Sequence, residues 1–135
     1  MAKKLNVIVK KMPANYGAFI EEVDGFVITR KTLNQIINDL PQAIKFHIEA
    51  LNDYEIQPWM LQEIEFTYHY DIDSLLDKYQ GILNQANISR ITGINESLLR
   101  QYVLGIKKPG KKQIIRIQEK LHTFAGELSN VNIRQ

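Results

Sequence analysis

LNQANISRITGINESLLRQYVLGIKKPGKKQIIRIQEKL, residues 83 to 121, is the stretch that decides how the second half of the chain folds. Ala86, Ile88 and Ile91 recur at helical spacing in its first part, and Leu98, Leu99, Tyr102 and Val103 do so in the next. Between them stands Thr92-Gly93-Ile94-Asn95. Glycine suits a backbone position with positive φ where a helix stops sharply, and asparagine is a favoured N-cap for the helix that follows. Two helices joined by a turn of about three to four residues make the helix-turn-helix pattern. With the second helix starting at Asn95, Glu96, Ser97, Arg100 and Gln101 share one polar face, while Ile94, Leu99 and Tyr102 turn inward. Arg, Gln and Ser are side chains that read base edges in a major groove, and residues near the start of the second helix make most such contacts.

Gly105-Ile106-Lys107-Lys108-Pro109-Gly110-Lys111-Lys112 follows as a helix stop, a basic loop and a new helix start. Its lysines, Lys107, Lys108, Lys111 and Lys112, suit phosphate neutralisation. Charge placement supports this over a plain helical bundle with a solvated face. Residues 1 to 70 hold seven Lys/Arg against nine Asp/Glu, net −2, whereas residues 71 to 135 hold ten against six, net +4. Within Lys78 to Lys120 the balance is nine basic to two acidic, the electrostatic footprint expected of a nucleic-acid binder. The stretch also resembles the helix-turn-helix of phage Cro and repressor proteins over about forty residues, with Gln85 opening the first helix. In that resemblance Gly93-Ile94 form the turn, and Gly105 and Pro109 close the recognition helix. It implies operator DNA as a partner and Gln85 and Asn95 beside the polar face as contact residues.

The chain has 135 residues and 44% hydrophobic composition, room for one domain or two very small ones. Its lack of cysteine excludes disulfides, thiolate catalysis and cysteine-containing zinc sites, and permits a reducing cytoplasm. No segment approaches the roughly 18 apolar residues of a membrane span, and MAKKLNVIVKK lacks a secretory apolar run, so a cytoplasmic protein without membrane partners is expected.

The first half alternates. Leu5, Val7 and Val9 share one side of a β-branched run from residue 5 to 11, Met12-Pro13-Ala14-Asn15 turns the chain, and residues 16 to 22 make a second strand candidate. Asp24-Gly25 signals a tight hairpin into a third strand ending at Arg30. Thr32 and Gln35 form a capping box for an amphipathic helix carrying Leu33, Ile36, Leu40, Ile44 and Ile48, with a kink or break expected at Pro41. After a loop holding Pro58 and Trp59, the latter an anchor against the core, Ile64, Phe66, Tyr68 and Tyr70 alternate with Glu63, Glu65, Thr67 and His69 in a fourth strand. The expected fold is α+β: a small antiparallel sheet with one covering helix in residues 1–70, then an all-α helix-turn-helix domain in residues 71–135. The last helical segment, Gly110 to Leu128, either packs under the recognition helix or forms a dimer contact.

VDGFVITRKTLNQIINDLPQAIKFHIEAL, residues 23 to 51, resembles the N-terminal domain of HicB-type antitoxins. The resemblance implies a reduced RNase H-like fold and a small basic toxin ribonuclease of the HicA type as partner. An acidic surface suits that partner, and Glu21, Glu22 and Asp24 are the residues expected to supply it. A nuclease of this fold would need several carboxylates converging on metal ions, and the first strand offers Asn6, Lys10 and Lys11 instead. His47, His69 and His122 show no metal-ligand spacing, so no catalytic residue, metal or cofactor is expected. An antitoxin that represses its own operon as a homodimer or larger homo-oligomer is the first reading. A free-standing regulator, whose N-terminal domain dimerises or binds a ligand, is the second.

Overall fold

Leu, Val and Ile interleaved with polar residues form strand β1 (Lys3–Lys11) of a computed structural model that describes residues 2–79 and 81–135. Leu5, Val7 and Val9 are buried on its inner side. β2 (Tyr16–Ile20) pairs antiparallel with β1, closed by a turn in which the Met12 N–H donates to the Asn15 carbonyl at 2.8 Å. β3 (Val27–Arg30) pairs antiparallel with β2, completing the expected meander.

The link between β2 and β3 is wider than the two-residue turn expected at Asp24-Gly25. Phe19 is already opposite Val27, so the chain between them loops out and back. Val23 and Phe26 explain it, since both reach into the core at 5% and 6% exposure, and a two-residue turn would hold them on the rim. Gly25 still has positive φ, +75°.

Helix α1 (Leu33–Glu49) starts at the Thr32–Gln35 capping box and buries Leu33, Ile36, Leu40 and Ile44. No break occurs at Pro41, which lies inside the helix with its ring exposed. A helix carbonyl points toward the residue four positions on, so the acceptor that proline leaves without its helical partner belongs to Ile37, at the flank of the core stripe, where its side chain is half-buried against the core. Two short 3-10 turns (Asp53–Glu55 and Pro58–Leu61) then lead to β4 (Ile64–Tyr70). Trp59 in the second turn packs against the core, its indole N–H donating to Gln57 Oε1 at 2.8 Å.

β4 corrects the expectation of an antiparallel sheet. It pairs parallel with β1, Leu5 opposite Phe66 and Val7 opposite Tyr68, and the sheet is mixed, in the order β3-β2-β1-β4. Parity dictates this direction: β3 runs the same way as β1, and a helix that carries the chain back to its starting end forces the next strand to repeat that direction. A second correction concerns the cover. Helix α2 (Ile72–Lys78) packs on β1, β4 and α1, so two helices rather than one close the inner face. The Tyr16 hydroxyl on β2 donates to Asp77, and Lys11 pairs with Asp73 at 3.4 Å. The first compact unit therefore runs to Lys78, eight residues past the boundary expected after Tyr70, and the second spans Tyr79–Gln135.

The second unit is built from α3 (Gln85–Thr92), α4 (Glu96–Val103) and α5 (Lys111–Ser129). Ile88, Ile94, Leu99 and Ile117 are buried in it, with α3 packed against both α4 and α5. Ala86, expected inward, is exposed. Among the described residues no helix is long and apolar enough to cross a membrane.

Candidate nucleic-acid interface

The turn between α3 and α4 is fixed by small polar side chains as much as by glycine. Asn84 caps α3 in a reciprocal box with Asn87, its Oδ1 accepting the Asn87 N–H at 2.8 Å. At the other end Gly93 adopts φ +77° and its N–H donates to the Ser89 carbonyl at 2.8 Å. The buried Thr92 hydroxyl donates to the Ile88 carbonyl at 2.6 Å and accepts the Ile94 N–H at 3.2 Å, while Ser89 Oγ donates to the Ile94 carbonyl at 2.5 Å. The Ser89 and Thr92 hydroxyls and both backbone polar groups of Ile94 thus have partners, and Ile94 can be buried at 4% exposure. Asn95 then caps α4, its Oδ1 accepting the Ser97 N–H at 2.8 Å. The connection is Gly93-Ile94-Asn95, three residues.

Leu99 is fully buried, and this fixes the outward face of α4. Asn95, Glu96, Ser97 and Arg100 are exposed; Gln101 is half-buried, as is Gln85, the first residue of α3. Glu96 in the first turn complements the helix dipole whatever else it does. Gly105, φ +76°, ends α4, and the Gln101 carbonyl accepts the N–H groups of Ile106 at 3.0 Å and Lys107 at 3.3 Å. That pair of bonds ties the basic loop to the end of α4. Lys107, Lys108, Lys111 and Lys112 are all exposed. Among the described residues neither they nor Arg100 forms an ion pair. Gln113 Nε2 donates to the Tyr102 hydroxyl at 3.4 Å and joins α5 to α4.

Sequence reasoning missed Arg116. A Cβ added at Gly93 would lie 3.2 Å from its Nη2, so its guanidinium sits beside the turn. Its position four residues after Lys112, on the same helix face, was the available signal.

In the first unit the three acidic residues part company. Glu21 and Asp24 are exposed in the loop after β2. Glu22 is committed to the fold: its carboxylate accepts the Asn6 N–H at 2.8 Å and Asn6 Nδ2 at 2.7 Å. Partial burial pushes this carboxyl upward, but the Asn6 donors, its own backbone N–H and the charge of Lys3 outweigh that and hold it below the ordinary carboxylate range. His69 approaches Asn6 Oδ1 at 2.9 Å on the uncovered sheet face, and His47 meets Phe26 edge-on with centroids 5.4 Å apart. Ile8, Phe19 and Val27 are cross-strand partners in one row of that uncovered face, with Phe19 and Val27 exposed.

Comparison with protein-family models, curated protein sequences and solved structures finds no match for this chain.

Proposed function

We propose that the chain is an antitoxin and autorepressor that works in the cytoplasm as at least a homodimer. Its second unit binds operator DNA as a helix-turn-helix, and its first, a HicB-type domain of reduced RNase H-like fold, binds and occludes a small basic toxin ribonuclease of the HicA type. The observation that carries the reading is the three-residue turn capped by Gly93 and Asn95, which presents Ser97 and Arg100 outward at the start of α4 beside a loop of unpaired lysines. A second feature supports it. Lys111 and Lys112 occupy the first turn of α5, which has no acidic residue and no side-chain cap. Cations there oppose the helix dipole at a cost of about 0.3–1 kcal/mol each, whereas the uncapped N–H groups and the ammonium charges together suit a phosphate.

In this reading the lysines position the protein on the backbone and α4 reads the bases. Operator and random duplexes of equal length separate the two roles. Replacing Arg100 and Gln101 with Ala is expected to lower discrimination between the duplexes by about tenfold or more, since each good base contact contributes about 1–3 kcal/mol. Replacing Lys107 and Lys108 with Ala is expected to weaken both duplexes alike. Full discrimination by the Arg100/Gln101 variant would remove α4 from the role of recognition helix.

A further inference from the structure

Beyond the turn, α5 carries an apolar stripe that its own unit covers only in part. Ile114, Ile117, Leu121, Phe124 and Leu128 alternate steps of three and four residues, the spacing of a coiled-coil seam. Ile117 is buried within the unit, but Phe124 and Leu128 are 37% and 56% exposed. Together with Ile82, Leu83 and Ile91 they line an open groove of about 730 Å³ between α3 and the second half of α5. Its charged lining residues are Lys120 and Glu127 from α5 itself and Arg90 from α3.

From this arrangement we infer that the groove receives α5 of a second copy of the chain, the two helices running antiparallel. The charges select both direction and register. In an antiparallel pair the residues just before the seam positions face their own kind, and here those are Lys120 and Glu127. Setting Leu121 opposite Phe124 of the second copy brings Lys120 against Glu127 of the second copy, twice over by symmetry. A slip of one heptad in one direction sets Glu127 against itself, and in the other sets Lys120 against itself. A parallel pair would put Lys120 beside Ala125, with no ionic partner. The apolar stripe thus supplies the contact, and the alternatives to one register are disfavoured by like charge or missing pairs.

This deepens the operator-binding reading and rests on it for its purpose, because one helix-turn-helix contacts half a site and two are needed on one duplex face. The association itself is tested without DNA. Lys120 and Glu127 are seven residues apart on one helix, about 10 Å, too far to pair within a chain. Sedimentation equilibrium of the full chain at tens of micromolar is expected to show a dimer. Lys120→Glu and Glu127→Lys, each alone, are expected to weaken it about tenfold, and the double exchange is expected to restore it to within a few-fold. Circular dichroism confirms that each variant is folded. As a second probe, Leu128→Asp is expected to give a monomer. A wild-type monomer, or a dimer indifferent to all four variants, would overturn the inference. Single exchanges that weaken the dimer without rescue by the double would overturn the register. A dimer that behaves as expected yet ignores operator DNA would leave this interface standing and remove the repressor reading.

Discussion

The Glu22 carboxylate accepts from two donors of Asn6, so replacing it strips an acceptor from a half-buried backbone N–H as well as from a side chain. Such a loss costs about 1–3 kcal/mol, and partial solvent access places Glu22→Ala near 1 kcal/mol. Its pH dependence has a definite sign. The folded carboxyl titrates below the ordinary 4.5, so its stabilisation is complete above pH 4.5 and is lost as pH falls through the folded value. Thermal melts of the full chain are therefore expected to separate wild type from Glu22→Ala at pH 7 and to converge in stronger acid. An equal gap at both would mean that the Asn6 bonds carry no charge-dependent stability. The fixed role of Glu22 was not legible beforehand, because it depends on Asn6 being placed sixteen residues away across the β1–β2 pair.

At the scale of elements, the loop after β2 is left with Glu21 and Asp24 as its free acidic side chains among the described residues. A ribonuclease must offer cationic groups to RNA phosphates, and an acidic loop is complementary to such a surface. Under the antitoxin proposal, replacing Glu21 and Asp24 together with Lys is expected to weaken binding of a HicA-type toxin by at least about tenfold, measured by calorimetry. Unchanged affinity would exclude this loop from the toxin contact. Local rules carried far here: the Thr32–Gln35 box, positive φ at Gly93, and the Asn95 cap each depend on neighbours a few residues away. The direction of β4 was also accessible, by counting strand reversals from β1. What local rules missed was α2, whose Ile72–Lys78 run is too short to announce its partner by periodicity and is held by Tyr16 and Lys11 from distant strands. Likewise the width of the β2–β3 loop follows from Val23 and Phe26 finding the core, not from Asp24-Gly25.

For the whole molecule, residues 1 to 78, with eight Lys/Arg against twelve Asp/Glu, net −4, and residues 79 to 135, with nine against three, net +6, divide the charge between two compact units, one suited to a cationic protein and one to a polyanion. The positions of Ser97, Arg100 and the four lysines on the second unit were legible because they share one face or one loop. Arg116 was legible only as the residue four positions after Lys112, and its place beside the turn comes from the packing of α5. In the proposed function this unit neutralises several phosphates while reading sequence, and both parts appear in one titration. Binding of the full chain to duplex from upstream of its own reading frame, and to a shuffled duplex of equal composition, is measured by fluorescence anisotropy from about 50 to 200 mM salt. If Lys107, Lys108, Lys111 and Lys112 of two chains each neutralise one phosphate, log K falls against log salt with a slope of about −7 on the upstream duplex, with tighter binding than on the shuffled one throughout. A slope shallower than about −2, or equal affinity for the two duplexes at every salt concentration, would contradict it.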